Sequence, residues 1–315
     1  MKIQPVAYRL CDLTVESTIP LPELNRAVKK DVQCFFELLP ARPQDSEPCR
    51  WFHEWCLPDG DPTLLFGRYD GGYVFRFPDL ADFLVSQDAN HVRCLPCPNT
   101  PVETIRHLFL DQIVPIVLSG NGSLVLHGSA VSTPHGAIAF VGATGQGKST
   151  LALSLSESGG SVLTDDCLLL KEENGRLLAI PSYPGMRIWP DTVDALFGQE
   201  PPLAEVAHYT EKKRIGRNVG LSFCVKSAAV RRIYFLTPAD EGTSVSIVPL
   251  SARESCVELV KFTYRLDITD RQRLRQEFER LSRVAALPLF YLLSFPRDFS
   301  LLPDVHRAIL ENARG

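Results

Sequence analysis

Gly142-Ala143-Thr144-Gly145-Gln146-Gly147-Lys148-Ser149, followed by Thr150, is the stretch that decides how this chain folds. It fits the glycine-loop pattern G-x-x-x-x-G-K-S/T, whose glycines let a backbone curl around an anion with its N–H groups turned inward. An apolar run of strand length, Ala137 to Val141, leads in, and an amphipathic segment leads out. The layout is strand, loop, helix, and the helix start near Lys148 adds the positive end of its dipole. Polyphosphate is the natural ligand of such a loop. Gly142, Thr144, Gly145, Gln146, Gly147, Lys148, Ser149 and Thr150 are the candidate binding residues. Lys148 is placed to reach β/γ-phosphate oxygens and the Ser149 hydroxyl to complete a Mg²⁺ shell, so ATP and Mg²⁺ are the expected cofactors.

Glycine loops serve several reactions, and the next motif narrows them. Asp165-Asp166 follows the apolar strand Ser161 to Thr164, which puts paired carboxylates at a strand end beside the loop. One can hold Mg²⁺, with Asp165 and Ser149 as the metal candidates, and the other can accept a hydroxyl proton. Adjacent strand residues point to opposite faces, so the two are expected to differ in role. A transporter-type Leu-Ser-Gly-Gly-Gln sequence is missing, as is the guanine-reading Asn-Lys-x-Asp. Arg187 and the run Lys212-Lys213-Arg214 are the basic candidates for stabilising charge on a transferring phosphoryl group, and Trp189 reads as core.

Outward from these motifs, the chain is expected to form two domains: a β-rich domain over residues 1–120 and an α/β domain over residues 121–315, α+β overall. In the first, Ala7 to Ser17 and Val32 to Leu39 are β-prone, and Thr63 to Phe77 reads as two strands around Asp70-Gly71. Val102, Ile105, Leu108, Phe109, Ile113 and Ile116 recur at helical spacing and predict one linking helix over Val102 to Leu118. In the second, strands are expected at Ser123 to Val131, Ala137 to Val141, Ser161 to Thr164, Arg231 to Leu236, Val245 to Val248 and Leu289 to Ser294. A hairpin is expected over Leu168 to Ile180. Helices are expected at Ala252 to Tyr264 and Asp270 to Ala286, the latter with Leu274, Phe278, Leu281 and Ala285 on one face, and a short helix follows Pro303.

Composition agrees with an ordinary globular chain: 315 residues are 45% hydrophobic and 22% charged, with a net charge of −4. No bulk positive field draws the chain to nucleic acid or an anionic membrane. The N-terminus lacks a secretory pattern, and the longest charge-free apolar stretch, Val284 to Phe295, falls short of the ~18 residues of a membrane span. Nine scattered cysteines fit a reducing cytoplasm, the expected location. Cys94 and Cys97 are the one close pair; the second such pair that marks a structural zinc site is missing.

From Leu124 to Asp166 the sequence resembles the catalytic domain of bacterial HPr kinase/phosphorylase, whose kinase fold is itself similar to that of phosphoenolpyruvate carboxykinase. His127-Gly128 stands 15 positions before Gly142, and Asp165 and Asp166 stand 17 and 18 positions after Lys148, as in that family. The resemblance implies Asp166 as the base for an accepting serine, Lys148 and Ser149 as phosphate and magnesium ligands, and His127 as an active-site residue. The family's Glu-Ile-Arg-Gly-Leu-Gly signature does not occur; Pro181 to Asp191, with Arg187, stands there instead. Phosphorylase activity and HPr as substrate are therefore not expected. The full layout, with Tyr8-Arg9-Leu10, Ile19-Pro20-Leu21-Pro22, Leu126 to Ala130 and Tyr183 to Asp191, is similar to HPr-kinase-like proteins of peptide natural-product clusters. Among them, lasso-peptide tailoring kinases phosphorylate a serine of a precursor peptide.

The expectation is thus an ATP- and Mg²⁺-dependent kinase whose partner is a peptide or small protein carrying serine, with room for a homo-oligomer. A slow regulatory ATPase and a small-molecule kinase are the alternatives.

Overall fold

The β-prone opening of the chain pairs into one nine-stranded sheet in a computed structural model that describes residues 4–44, 49–56, 60–198, 203–216, 220–238 and 244–315. Its strands are β1 (Val6–Leu10), β2 (Leu13–Ser17), β3 (Asn25–Arg26), β4 (Cys34–Leu38), β5 (Arg50–Cys56), β6 (Pro62–Tyr69), β7 (Gly72–Phe77), β8 (Ala81–Ser86) and β9 (His91–Pro96). They lie in the order β3-β1-β2-β4-β9-β8-β7-β6-β5, and Asp70-Gly71 turns β6 into β7 as expected.

The linking helix is present but interrupted. It runs as α1 (Val102–Leu108), a π-helical turn (Phe109–Ile113) and α2 (Val114–Gly120). Ile105, Leu108, Phe109, Ile113 and Ile116 are buried, and the Phe109 ring stacks on Phe36 of β4 at 3.8 Å. The wider turn precedes Pro115, which has no N–H to give the helix ladder, and it carries a buried Asp111 whose Oδ2 lies 2.7 Å from Nδ1 of His107.

The second sheet supports the loop. Strand β10 (Leu124–Leu126) is followed by β11 (Gly128–Thr133), β12 (Gly136–Val141), helix α3 (Lys148–Glu157), β13 (Ser161–Thr164), β14 (Leu168–Glu173) and β15 (Arg176–Ile180). After β16 (Met186–Ile188), α4 (Pro190–Phe197), β17 (Ala204–Glu205) and β18 (Lys213–Ile215) come β19 (Ala228–Pro238), β20 (Ser246–Pro249), α5 (Ala252–Phe262), α6 (Arg271–Ala285), β21 (Phe290–Phe295) and α7 (Leu302–Arg314). The main order is β10-β14-β15-β19-β12-β11-β13, with β21 parallel to β19 and β20 beside it; β16, β18 and β17 form a small sheet of their own.

Both faces of this sheet are buried, and β12 shows why. Ala137, Ala139 and Val141 enter an apolar cluster with Leu259 of α5 and Leu281, Val284 and Ala285 of α6. The alternate residues Ile138 and Phe140 enter another with Leu151 and Leu155 of α3 and Val305 and Ile309 of α7. An unbroken apolar strand needs helices on each side, which is the α/β arrangement.

By contact the chain falls into two units: Met1–Gly122 with Val206–Thr210 and Arg265–Arg271, and Ser123–Glu205 with Glu211–Tyr264 and Gln272–Gly315. Two short later pieces of the chain thus join the first unit. One of them holds Asp267, whose side chain is wholly buried and ion-paired with Arg68 of β6.

Three local expectations change. Ser123 to Val131 is two strands, not one. Phe278 of α6 is 57% exposed, so the apolar face of that helix buries only its C-terminal half, where Leu281, Val284 and Ala285 lie. The closing helix is long, at 13 residues. Strands β16 to β18 and helix α4 carry no periodicity long enough to read from sequence. No helix among the described residues is long and apolar enough to cross a membrane.

Candidate functional site

Strand β12 delivers the chain to Gly142, and the glycine loop returns it into α3 at Lys148. Gly145 (φ +80) and Gly147 (φ +89) occupy the left-handed region, where a side chain is strained. Gly147 caps α3 without any side-chain bond, which leaves the first N–H groups of the helix to another partner. Gln146 closes the loop by accepting the Ala143 N–H on its Oε1 at 2.6 Å. Thr144 is exposed at the tip, and Thr150 faces Thr192 of α4 with 3.2 Å between hydroxyls.

Lys148 is buried, and its ammonium folds back to donate to the Ala143 carbonyl at 3.0 Å. Burial pulls its pKa below the ordinary lysine value, against the opposing pull of Asp166 and Asp165. A cation held this way favours an arriving anion.

Beside it stand the two aspartates. Asp165 Oδ1 accepts from Ser149 Oγ at 2.7 Å and Ser129 Oγ at 2.6 Å, and its Oδ2 accepts the Arg187 backbone N–H at 2.8 Å. Asp166 then takes φ +59, and the Cys167 N–H donates to the Asp165 carbonyl at 2.8 Å. This three-residue turn has the rarer, strained hand of a γ-turn, a feature that persists where the surroundings enforce it. It corrects the simple alternation expected of strand neighbours: both carboxylates enter one cluster, on different partners. Asp166 Oδ2 is ion-paired with the Arg187 guanidinium, and its Oδ1 lies 3.2 Å from His127 Nε2.

His127 owes its position to the break between β10 and β11. β10 pairs with β14, whereas β11 pairs with β12 and β13. At the break the His127 N–H donates to the Phe262 carbonyl at 2.8 Å. Gly128 allows the close approach that follows, because a Cβ there would stand 2.8 Å from the Phe140 carbonyl oxygen. Two residues on, Ser129 falls on the same side as His127.

The partners set the charges. Burial and the neighbouring charge of Asp166 raise the pKa of Asp165. Burial also works to raise Asp166, but Arg187, His127 and Lys212 together hold it well below the ordinary carboxylate value. Burial thus weighs on the charge of Asp165, whereas the partners of Asp166 favour its anionic form.

The structure brings together His127, Lys148, Ser149, Asp165, Asp166 and Arg187. Ser129, and Tyr264, whose hydroxyl lies 3.4 Å from the Asp166 carbonyl, join them without having been singled out from sequence. Ser129 had a signal, its even spacing from His127; Tyr264 had none. Trp189 corrects the expectation of a core residue: it is 41% exposed, with the Lys212 ammonium 5.2 Å from its ring centre. Among the described residues no three His, Cys, Asp or Glu side chains gather to hold a metal, and Cys94 and Cys97 are free thiols.

No family model matches the chain, and no curated protein matches it. Among solved structures, the chain is similar to the Hpr(Ser) kinase/phosphatase from Coxiella burnetii at 14% identity, over 61% of this chain and 99% of that chain, with a TM-score of 0.30.

Proposed function

We propose that the protein is an ATP- and Mg²⁺-dependent kinase that transfers the γ-phosphate to a serine-type hydroxyl of a peptide or small protein. The observation that carries this is the 2.7 Å bond from Ser149 to Asp165 beside a second, separately held carboxylate. A loop serine joined to a strand-end aspartate is the arrangement that holds Mg²⁺ in glycine-loop phosphotransferases, and it leaves Asp166 for the acceptor.

The residues fit Mg·ATP. Uncapped N–H groups at Gly147 and the first turn of α3, a buried ammonium at Lys148 and a hydroxyl–carboxylate pair are donors and ligands for a triphosphate and its hydrated cation. When bound, Mg·ATP supplies the phosphoryl group and its leaving group. Lys148, now on the Ala143 carbonyl, would be the residue that neutralises phosphate charge. Ser149 and Asp165 would hold the metal. Asp166, kept anionic by Arg187, accepts the hydroxyl proton as the serine oxygen attacks, and His127 orients its carboxylate through Oδ1. Arg187 stabilises charge at the same point.

The acceptor is a precursor peptide of the lasso kind, a choice that rests on the sequence resemblance alone. Incubation with γ-labelled ATP and a panel of serine-containing precursor peptides tests the reading: label should move to peptide serine. Label released only as free phosphate across the panel would replace the kinase with a regulatory ATPase.

A further inference from the structure

The small sheet beside the aspartates has two unlike faces. Strands β16 and β18 are antiparallel, with Met186 opposite Ile215, Arg187 opposite Arg214 and Ile188 opposite Lys213. Met186, Ile188 and Ile215 are buried in the apolar cluster under α3. By the two-residue period of a strand, the other face presents Arg187 and Arg214, and one step further Trp189 beside Lys212. The cation–ring contact between Lys212 and Trp189 closes that step.

The row is graded. Arg187 is buried on Asp166. Arg214 is held by Tyr183, donating to its hydroxyl at 3.1 Å and covering its ring at 5.7 Å, and Tyr183 is itself buried. At the outer end Trp189 is exposed and Lys212 is half-buried against its ring. The Lys212 charge favours the anionic form of Asp166 and disfavours the charged form of Lys148. A chain of net charge −4 therefore carries, leading away from its proposed base, three cations and an exposed indole on one face.

We propose that this face is the acceptor-docking strip, and that the acceptor is an extended acidic peptide with a carboxylate two residues from the phosphorylated serine. The proposal rests on the kinase reading and names its substrate class. Two strand residues span about 7 Å, so a peptide lying along the ribbon with its serine at Asp166 brings the side chain two positions away to Lys212. The indole of Trp189 supports the intervening backbone and shields the ion pair from water, which strengthens it.

The test uses the full-length protein and synthetic serine peptides that differ only in the residues two positions either side of serine, as Asp, Asn or Lys. The Asp peptide should have a KM about tenfold below the Asn peptide and still further below the Lys peptide, with the advantage shrinking in high salt. Lys212→Glu should reverse the ranking and Lys212→Arg should keep it, each ranking read as a ratio of KM values between peptides at saturating Mg·ATP. No preference among the peptides, or a Lys212→Glu enzyme that keeps the original ranking, would overturn the docking strip. Should no peptide accept phosphate, the kinase reading falls, and titration of tryptophan fluorescence still decides docking. Saturable quenching by the Asp peptide that is lost in Trp189→Phe supports it; no such quenching removes it.

Discussion

The Arg187 guanidinium is ion-paired with Asp166, and the same residue's backbone N–H holds Asp165. One residue on one short strand thus fixes both carboxylates, and it sets how the site responds to acid. With its pKa depressed below the ordinary 3.8, Asp166 contributes stability that is fully present above that value and lost as pH falls through its lower folded value. Asp165 works in the other direction: its raised pKa means that acidification relieves part of its burial cost. In the wild type, transfer should therefore hold its rate down to the ordinary carboxylate range. Arg187→Gln removes the main force holding Asp166 low, so the acid limb of kcat/KM against pH should move up toward neutrality. An unmoved limb would show that Asp166 is not the group being titrated.

Asp165→Asn and Asp166→Asn should separate metal holding from proton transfer. Asparagine tolerates the positive φ at 166, so the turn survives the change. Asp166→Asn should lower phosphopeptide formation about 100-fold or more with little change in Mg·ATP affinity, whereas Asp165→Asn should weaken the Mg²⁺ dependence as well. Calorimetry beside a phosphopeptide assay distinguishes them; the opposite pattern would exchange the two roles.

Lys148→Met should abolish transfer and yet stabilise the ligand-free protein. The buried ammonium has a backbone carbonyl as its hydrogen-bond acceptor, and its pKa is lowered by burial. Replacing such a charge with a shape-matched apolar chain should gain about 1 kcal/mol, read as a higher Tm without nucleotide and no Tm rise on adding Mg·ATP. A lower Tm would mean that the ammonium supports the loop.

Gly128→Ala should damage the site from outside it. Its Cβ would press on the Phe140 carbonyl, a backbone atom that cannot swing away. A loss of about 1–3 kcal/mol in urea unfolding is expected, with a drop in kcat from a displaced His127. Wild-type stability would show that the strand break has slack.

Much of this was legible in the chain, for physical reasons. The glycine loop, its flanking elements and the carboxylate pair are local in sequence, and the β12 run is apolar because both its faces are buried. Asn174 (φ +51) and Gly175 (φ +73) turn β14 into β15 as the dipeptide predicts. What could not be read depends on distant pairing. The break at His127 arises because β10 and β11 find different neighbours, and the junction of Arg187 with the aspartates needs strands too short to show a period. Trp189 was misassigned because a large aromatic among apolar residues reads as core until its strand face is known.

The return of residues 265–271 to the first unit bears on how the protein is made. The Asp267 side chain is wholly buried, and beyond the bonds it accepts from nearby Thr269 its charge is matched by Arg68, a residue synthesised long before it. While the chain emerges from the ribosome, the N-terminal sheet must wait for nearly the whole polypeptide before that charge can be matched, so the usual order of one domain finishing ahead of the next does not apply. Expression of residues 1–122 alone would leave Arg68 without its partner, and a fragment beginning at Ser123 would carry Asp267 without its own. Neither piece is a natural module for dissecting the protein; point substitution in the intact chain is.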